Sequence, residues 1–367
     1  MFFPAVPLVD PGAIRVQNAW YLLMYAWDMT RWRGRWDGAA EAAPNLVGLL
    51  ARVLVDSTTD LLRHQLPRTY ARTTQQIQGV RGRIDFSRSL KRLSFESGRA
   101  VCTYSELSSD TLRNRILRST LDRLMRDPRV VVGGKPEHAE ALRHDLRKAV
   151  RAMDGVAITA VQSSDFGKLQ LGRNDIAYLL PLSICHLIYR YEMPSEAAGA
   201  DVLAGLLRDE IAFADLFERF IRNFCRYHYP EANVAAEELS WFDESGSAFV
   251  PRMRTDITMK WREPAVRRFV IDTKYYANTL AVRFEGSEKF HSANLYQLYT
   301  YLRTQEHLSE AHRAAAGLLL YPATRYALDE KMRVQGHELH VATVDLAQPW
   351  PVVENELLAR IDRGRLH

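Results

Sequence analysis

Cysteine is scarce in this sequence: the 367 residues hold three, at Cys102, Cys185 and Cys225. A sparse, odd and widely spaced set argues against a disulfide framework and suits a reducing compartment. No two have CxxC spacing, which argues against a structural zinc site. Long apolar runs are missing as well. The greasiest stretch, Ala177 to Tyr189, contains Pro181 and His186 and falls well short of a membrane span. The apolar opening Met1 to Val9 has no basic lead and is too short for a secretory signal. A soluble, cytoplasmic chain with no membrane partner is expected. There is also no phosphate-binding loop: Val132-Gly133-Gly134-Lys135-Pro136 ends in Pro where Ser or Thr should hold magnesium, and its first glycine is absent. The chain is not expected to bind a nucleotide itself. His337-Glu338-Leu339-His340 is one residue short of a zinc-protease helix, and His138 and His144 do not share a helical face. None of these is given a role.

What is present is an ordinary globular composition, large enough for two domains with a sizeable core. The 49 basic residues outnumber the 44 acidic ones, for a net charge of +5. Arginine dominates, in clusters such as Arg31-Trp32-Arg33-Gly34-Arg35 and Arg81-Gly82-Arg83. Guanidinium forks grip phosphate at two points, so these are candidate contact surfaces, with a solvated basic face as the plain alternative.

Helical spacing of apolar residues predicts helices over Ile14–Asp28, Leu46–Arg63, Leu112–Arg126, Glu137–Met153 and Asn174–Tyr191. Between them, Gln78 to Phe86 alternates and carries two glycines, as a short strand with a turn does. The loop Met193 to Gly199 is the expected boundary between a domain at 1–195 and one at 196–367. Beyond it the pattern predicts a helix over Asp209–Tyr227 and strands over Ala248–Lys260 and Arg268–Tyr276, with a turn at Arg262–Pro264. A helix over Asn294–Leu302, strands over Ala315–Tyr321 and His340–Val344, and a helix over Glu354–Arg363 complete it. That order is mixed α/β.

The chemistry concentrates in Arg252-Met253-Arg254-Thr255-Asp256-Ile257 and Phe269-Val270-Ile271-Asp272-Thr273-Lys274. Residues two apart on a strand share a face, so Asp272 and Lys274 project together. Thr273 points away, with Phe269 and Ile271 on its side towards the core. Asp256 lies on the preceding strand. Two carboxylates converging beside a lysine suit a hard divalent cation, which takes oxygen ligands and keeps several waters. Such a cation activates water and polarises a phosphate, and Lys274 would offset the charge that builds up. An ordinary cross-strand salt bridge is the competing reading. Gln297 and Tyr301, four apart, share one face of the helix that follows. A Gln-x-x-x-Tyr helix after a D-x-K strand is a pattern of nucleases of the PD-(D/E)xK type. Glu218 is a weaker candidate third ligand; a helical pair with Arg222 accounts for it equally well.

These segments resemble the McrC family, endonuclease subunits of McrBC-type systems that restrict DNA carrying modified cytosine. The likeness extends to Ile14–Trp27, Gly79–Phe86, Asp110–Leu117 and Glu288–Leu298, so it covers most of the chain in matching order. The resemblance implies a mainly helical N-terminal region with a small β element, followed by a restriction-endonuclease-like nuclease domain. It places Asp256, Asp272 and Lys274 on the catalytic triplet and implies Mg2+. It implies that base recognition and GTP hydrolysis belong to a partner, a hexameric McrB-like AAA+ ring, whose hydrolysis this chain would stimulate. It also implies a projection, between about residues 68 and 160, that docks into the ring. Two departures from the generic nuclease pattern, Thr255 in place of Pro and Asp272 in place of Glu, are both tolerated in McrC-like sequences. The alternatives are a stand-alone repair nuclease of the same superfamily and a non-catalytic DNA-binding scaffold.

Overall fold

The structure, a computed structural model, describes residues 9, 13–64, 66, 68–130, 136–191, 202–241, 249–262, 266–275, 281–284, 287–290, 292–324 and 327–366. Most of the opening Met1–Val9, the boundary loop Met193–Gly199, the glycine-rich break at 133–135 and most of the turn Arg262–Pro264 lie outside the described residues.

Apolar residues at helical spacing begin the described chain as α1 (Val16–Ala26), α2 (Asp37–Ala42) and α3 (Leu46–Arg63). Threonine-rich sequence then forms β1 (Thr69–Gln78), followed by β2 (Arg83–Ile84), α4 (Phe86–Lys91) and β3 (Arg99–Ser108). The expected strand and turn at 78–86 are the tail of β1, a glycine turn and β2. Gly82 has φ +70°, and a Cβ there would collide with the Thr103 carbonyl, so only glycine fits. The β1–β3 ribbon runs antiparallel from Thr69↔Ser108 to Gln78↔Arg99, a larger β element than expected. Four further helices follow: α5 (Leu112–Arg126), α6 (Pro136–Ala152), α7 (Ser163–Phe166) and α8 (Ile176–Tyr191).

The remaining chain runs α9 (Val202–Arg208), α10 (Glu210–His228), β4 (Asn233–Ala235), β5 (Glu238–Leu239), β6 (Met253–Arg254), β7 (Ile257–Trp261) and β8 (Arg267–Thr273). It continues through β9 (Ala281–Phe284), β10 (Ser287–Phe290), α11 (Ser292–Arg303), α12 (Glu310–Arg313), β11 (Ala316–Ala323), β12 (Asp329–Val334), β13 (His337–Asp345) and α13 (Trp350–Leu366). The strand expected over Ala248–Lys260 is in fact two, β6 and β7, broken by a bend at Thr255–Asp256.

Two compact units result: Met1–Leu46 with Pro194–His367, and Val47–Met193. The continuous 1–195 domain expected from the sequence is therefore corrected at its start, because α1 packs into the C-terminal unit. Asn18 donates to the carbonyls of Leu346 and Gln348, both at 2.7 Å. Tyr21 stacks on Trp350 with ring centroids 4.1 Å apart, and Tyr25 sits among Phe220, Phe224 and His228 of α10. These aromatics form a large apolar payload with satisfied polar ends.

The frame of this unit is a six-stranded mixed sheet in the order β12-β13-β11-β8-β7-β4. β8, β11 and β13 are parallel, and the flanking strands run antiparallel. Val270, Leu319, Tyr321, Leu339 and Val341 form one core with Leu298, Tyr301 and Leu302 of α11. On the opposite face Phe269 meets α13 at Gly364, where a Cβ would overlap the phenyl ring. A helix thus covers each face of the central strand.

Candidate active site

β7 and β8 pair antiparallel from Trp261↔Arg267 to Ile257↔Ile271. Asp256 lies in the bend just before β7, and Asp272 follows Ile271 on β8, so both flank the end of this ladder. β8 is flanked on its other side by β11, with Asp272 beside Leu319, and the Lys274 amide extends that ladder by donating to the Leu320 carbonyl at 3.0 Å. Residues 268–273 are all buried. Asp272 and Lys274 share the parity of Val270 and lie on the α11 side, so the face opposite Phe269 and Ile271 is core as well. The unbroken apolar run Phe269-Val270-Ile271 is what a strand covered on both faces requires.

A carboxylate in that position is costly. The Asp272 side chain is 0% exposed, and the Lys274 ammonium stands 2.8 Å from its Oδ2. No other donor among the described residues reaches either carboxylate oxygen. Burial is the largest influence on Asp272. Lys274 pulls the other way, Asp256 and Glu218 add repulsion, and the carboxyl is pushed up from 3.8 to about 7. Burial opposes the charge on Lys274, but Asp272 and then Asp256 outweigh it and hold the ammonium above its ordinary range.

Asp256 is held differently. Its Oδ2 accepts from the Thr273 amide at 2.8 Å and from the Thr273 hydroxyl at 3.0 Å. Thr273 therefore does not simply point away into the core, because the bend at Thr255–Asp256 brings the Asp256 carboxylate to it. The bend is itself fixed. The Thr255 amide donates to the Glu237 carbonyl at 2.9 Å, and its hydroxyl accepts from the Glu237 amide at 3.0 Å and meets the Thr258 hydroxyl at 2.9 Å. The sequence pattern assigned neither threonine a role in the site; their signal was a hydroxyl residue beside each acidic residue.

α11 supplies the wall. Gln297 Nε2 donates to Tyr301 Oη at 2.5 Å, so the shared face expected from their spacing carries a real bond. Tyr301 is buried, which pushes its phenol up; Gln297 lowers it, while Asp272 raises it and Lys274 lowers it. The phenol is thus within electrostatic reach of the pair. The helix lies close because β11 presents Gly317 beneath Leu298, where a Cβ would crowd the leucine side chain.

Glu218 does not join the other two as a ready ligand. It is ion-paired to Arg222 at 2.5 Å on its own helix, and burial followed by repulsion from Asp256 raises its carboxyl. Among the described residues no three His, Cys, Asp or Glu side chains are gathered closely enough to hold a metal unaided. Asp256 and Asp272 nevertheless fit a hard cation. They offer oxygen ligands, and Asp272 Oδ1 is a buried acceptor with no hydrogen-bond donor among the described residues.

The arginine clusters are largely engaged within the chain. Arg33 grips both oxygens of Glu354 at 2.5 and 2.7 Å, Arg35 lies over the rings of Trp32 and Trp36, and Arg81 covers Tyr104. His337 bonds the Ala315 carbonyl and Glu306, and His340 bonds Asp329. In the other unit, Tyr70, Val80, Phe86, Leu90 and Leu93 are exposed on and beside the β1–β3 ribbon. No helix among the described residues is long and apolar enough to cross a membrane.

The chain is similar to known proteins over most of its length. Residues 20–322 match the family model described as the McrBC 5-methylcytosine restriction system component. A relative from Escherichia coli (strain K12), the type IV methyl-directed restriction enzyme EcoKMcrBC, is 31% identical over 358 residues, covering 96% of this chain and 99% of that protein. Among solved structures, a refined half-complex from the tetradecameric assembly of Thermococcus gammatolerans McrB AAA+ hexamers with bound McrC matches at a TM-score of 0.54. That match has 17% identity and covers 95% of this chain and 75% of the other.

Proposed function

The chain belongs to the McrBC 5-methylcytosine restriction system component family, and from that membership and the site on β7 and β8 we propose that it is the DNA-cutting subunit of such a system. The carrying observation is the buried Asp272–Lys274 pair, with Asp256 bonded to Thr273 between them and the Gln297–Tyr301 pair within electrostatic reach.

Asp256 and Asp272 would hold a divalent cation, Mg2+ by the oxygen chemistry of the donors. When bound, such an ion polarises the scissile phosphate and lowers the pKa of water. Lys274 presents its ammonium where negative charge grows on the phosphate, in a site with little water to screen it. Gln297 occupies the acceptor side of Tyr301 Oη, which leaves the phenolic proton free for a phosphate oxygen or a water. The covered faces of β8 fix these groups before DNA arrives, so little reorganisation is needed during cutting. A non-catalytic scaffold would give no reason to bury a carboxylate whose Oδ1 meets no donor among the described residues.

The proposal includes a division of labour. An AAA+ hexamer hydrolyses GTP and recognises modified cytosine, and this chain stimulates hydrolysis and cuts. The exposed apolar side chains within 68–160 support docking through that region. The test is cleavage of modified DNA by the reconstituted complex, with and without chelator. Chelation should abolish cutting and Mg2+ restore it, and Asp272→Asn should lower it at least about a hundredfold. Cutting that persists in chelator would overturn the proposal.

A further inference from the structure

In the proposed cation site the Asp256 carboxylate is fixed by neutral hydrogen-bond donors. Both donors come from one residue, Thr273, and both go to one oxygen, Oδ2, at 2.8 and 3.0 Å. Thr273 is itself buried. The terminal torsion of an aspartate is soft, and in the absence of such a clamp the carboxylate samples a broad range of angles. Two donors on one oxygen stop that rotation and leave Oδ1 for another partner. The amide contribution is available from any residue but proline at position 273. The hydroxyl is not.

We propose that Thr273 is a positioning residue for the nuclease reaction: its hydroxyl locks the Asp256 carboxylate so that Oδ1 meets the cation in one orientation. This rests on the nuclease reading above. The site has little other means of ordering Asp256, which lies in a bend just outside β7. The strand beyond it is tied to β8, and the bend's backbone is held through Thr255 by Glu237 and Thr258, none of which touches the Asp256 carboxylate among the described residues. Groups that orient a ligand carboxylate act on metal affinity and activity by about 10- to 100-fold.

The test compares Thr273→Val, which keeps shape and amide but removes the hydroxyl, with Thr273→Ala and Thr273→Ser. Mn2+ binding to the purified full chain is read from the loss of the free ion's paramagnetic resonance signal. The Mg2+ concentration for half-maximal cutting is then read in the complex. Val and Ala should both weaken Mn2+ binding and raise the Mg2+ requirement by about 10- to 100-fold, with cutting recovering at saturating Mg2+. Ser should restore both to near the parent value. Either Val or Ala suffices should the other fail to fold. Wild-type Mn2+ affinity in a folded Val or Ala variant overturns the inference, and so does a Ser variant as impaired as Val. Equal Mn2+ binding by the parent and Asp272→Asn instead sinks the underlying cation site, and this inference with it.

Discussion

The Lys274 ammonium stands 2.8 Å from Asp272, a carboxylate with no exposure to solvent. The pair is poorly compensated for its depth, and this has a consequence for stability. The folded-state pKa of Asp272, about 7, lies above its ordinary 3.8. The unfolded chain therefore releases this proton first, and stability falls as pH rises from about 4 to about 7. The raised pKa of Lys274 acts only at much higher pH. Replacing both charges, as Asp272→Asn with Lys274→Met, should gain stability over the parent across that window, on the order of 1–4 kcal/mol at pH 8. Denaturant unfolding in chelator, repeated along the pH range, checks this; parallel curves for the two proteins would refute it.

A divalent cation should remove that penalty. Mg2+ added at pH 8 should raise the melting temperature of the parent chain, since a ligand held only by the folded state stabilises by about 2.7 kcal/mol at a hundred times its Kd. The double variant should show no shift. Equal shifts in both would place the ion elsewhere.

Tyr301 offers a cleaner separation of chemistry from packing. Tyr301→Phe keeps the ring in the α11 core and removes the hydroxyl that Gln297 holds. Cutting should fall roughly tenfold, the worth of one hydrogen bond to a charged group, with melting temperature and Mn2+ binding close to the parent. An undiminished rate would reduce the Gln297–Tyr301 bond to a structural role.

The placement of β8 also depends on Gly364. A methyl group there would overlap the Phe269 ring, so Gly364→Ala should cost about 1–3 kcal/mol by overpacking. Phe269→Leu in the same chain should recover part of that loss. Thermal unfolding of the three variants decides it; a harmless Gly364→Ala would mean that α13 can lift away from the sheet at no cost.

Much of the site was legible because strand parity is a local property. Asp272 and Lys274 had to share a face, and Gln297 and Tyr301 had to share a helical stripe. The helices α5, α10 and α11 declared themselves by period, and the structure adds a cap to α10, where Asp209 accepts from the Ala212 amide at 3.0 Å. What escaped was non-local. Nothing in Val16–Ala26 says that it packs on a helix some two hundred residues away. The β1–β3 ribbon is polar and threonine-rich, so its strands lack the alternation that marks a half-buried sheet. The edge strands β4 and β12 are short or charged for the same reason that edges usually are. The Thr273–Asp256 contact was hidden because parity places Thr273 on the far face, and only the bend at Thr255 breaks that rule.

The central claim is that cutting resides in this chain's paired carboxylates while motor activity resides in the partner. Asp256→Asn, reconstituted with the AAA+ hexamer and modified DNA, tests it in a single assay that follows cleavage and GTP hydrolysis together. The account predicts DNA left intact while hydrolysis is stimulated as by the parent chain. Cleavage at the parent rate, or loss of both activities in a folded variant, would contradict it.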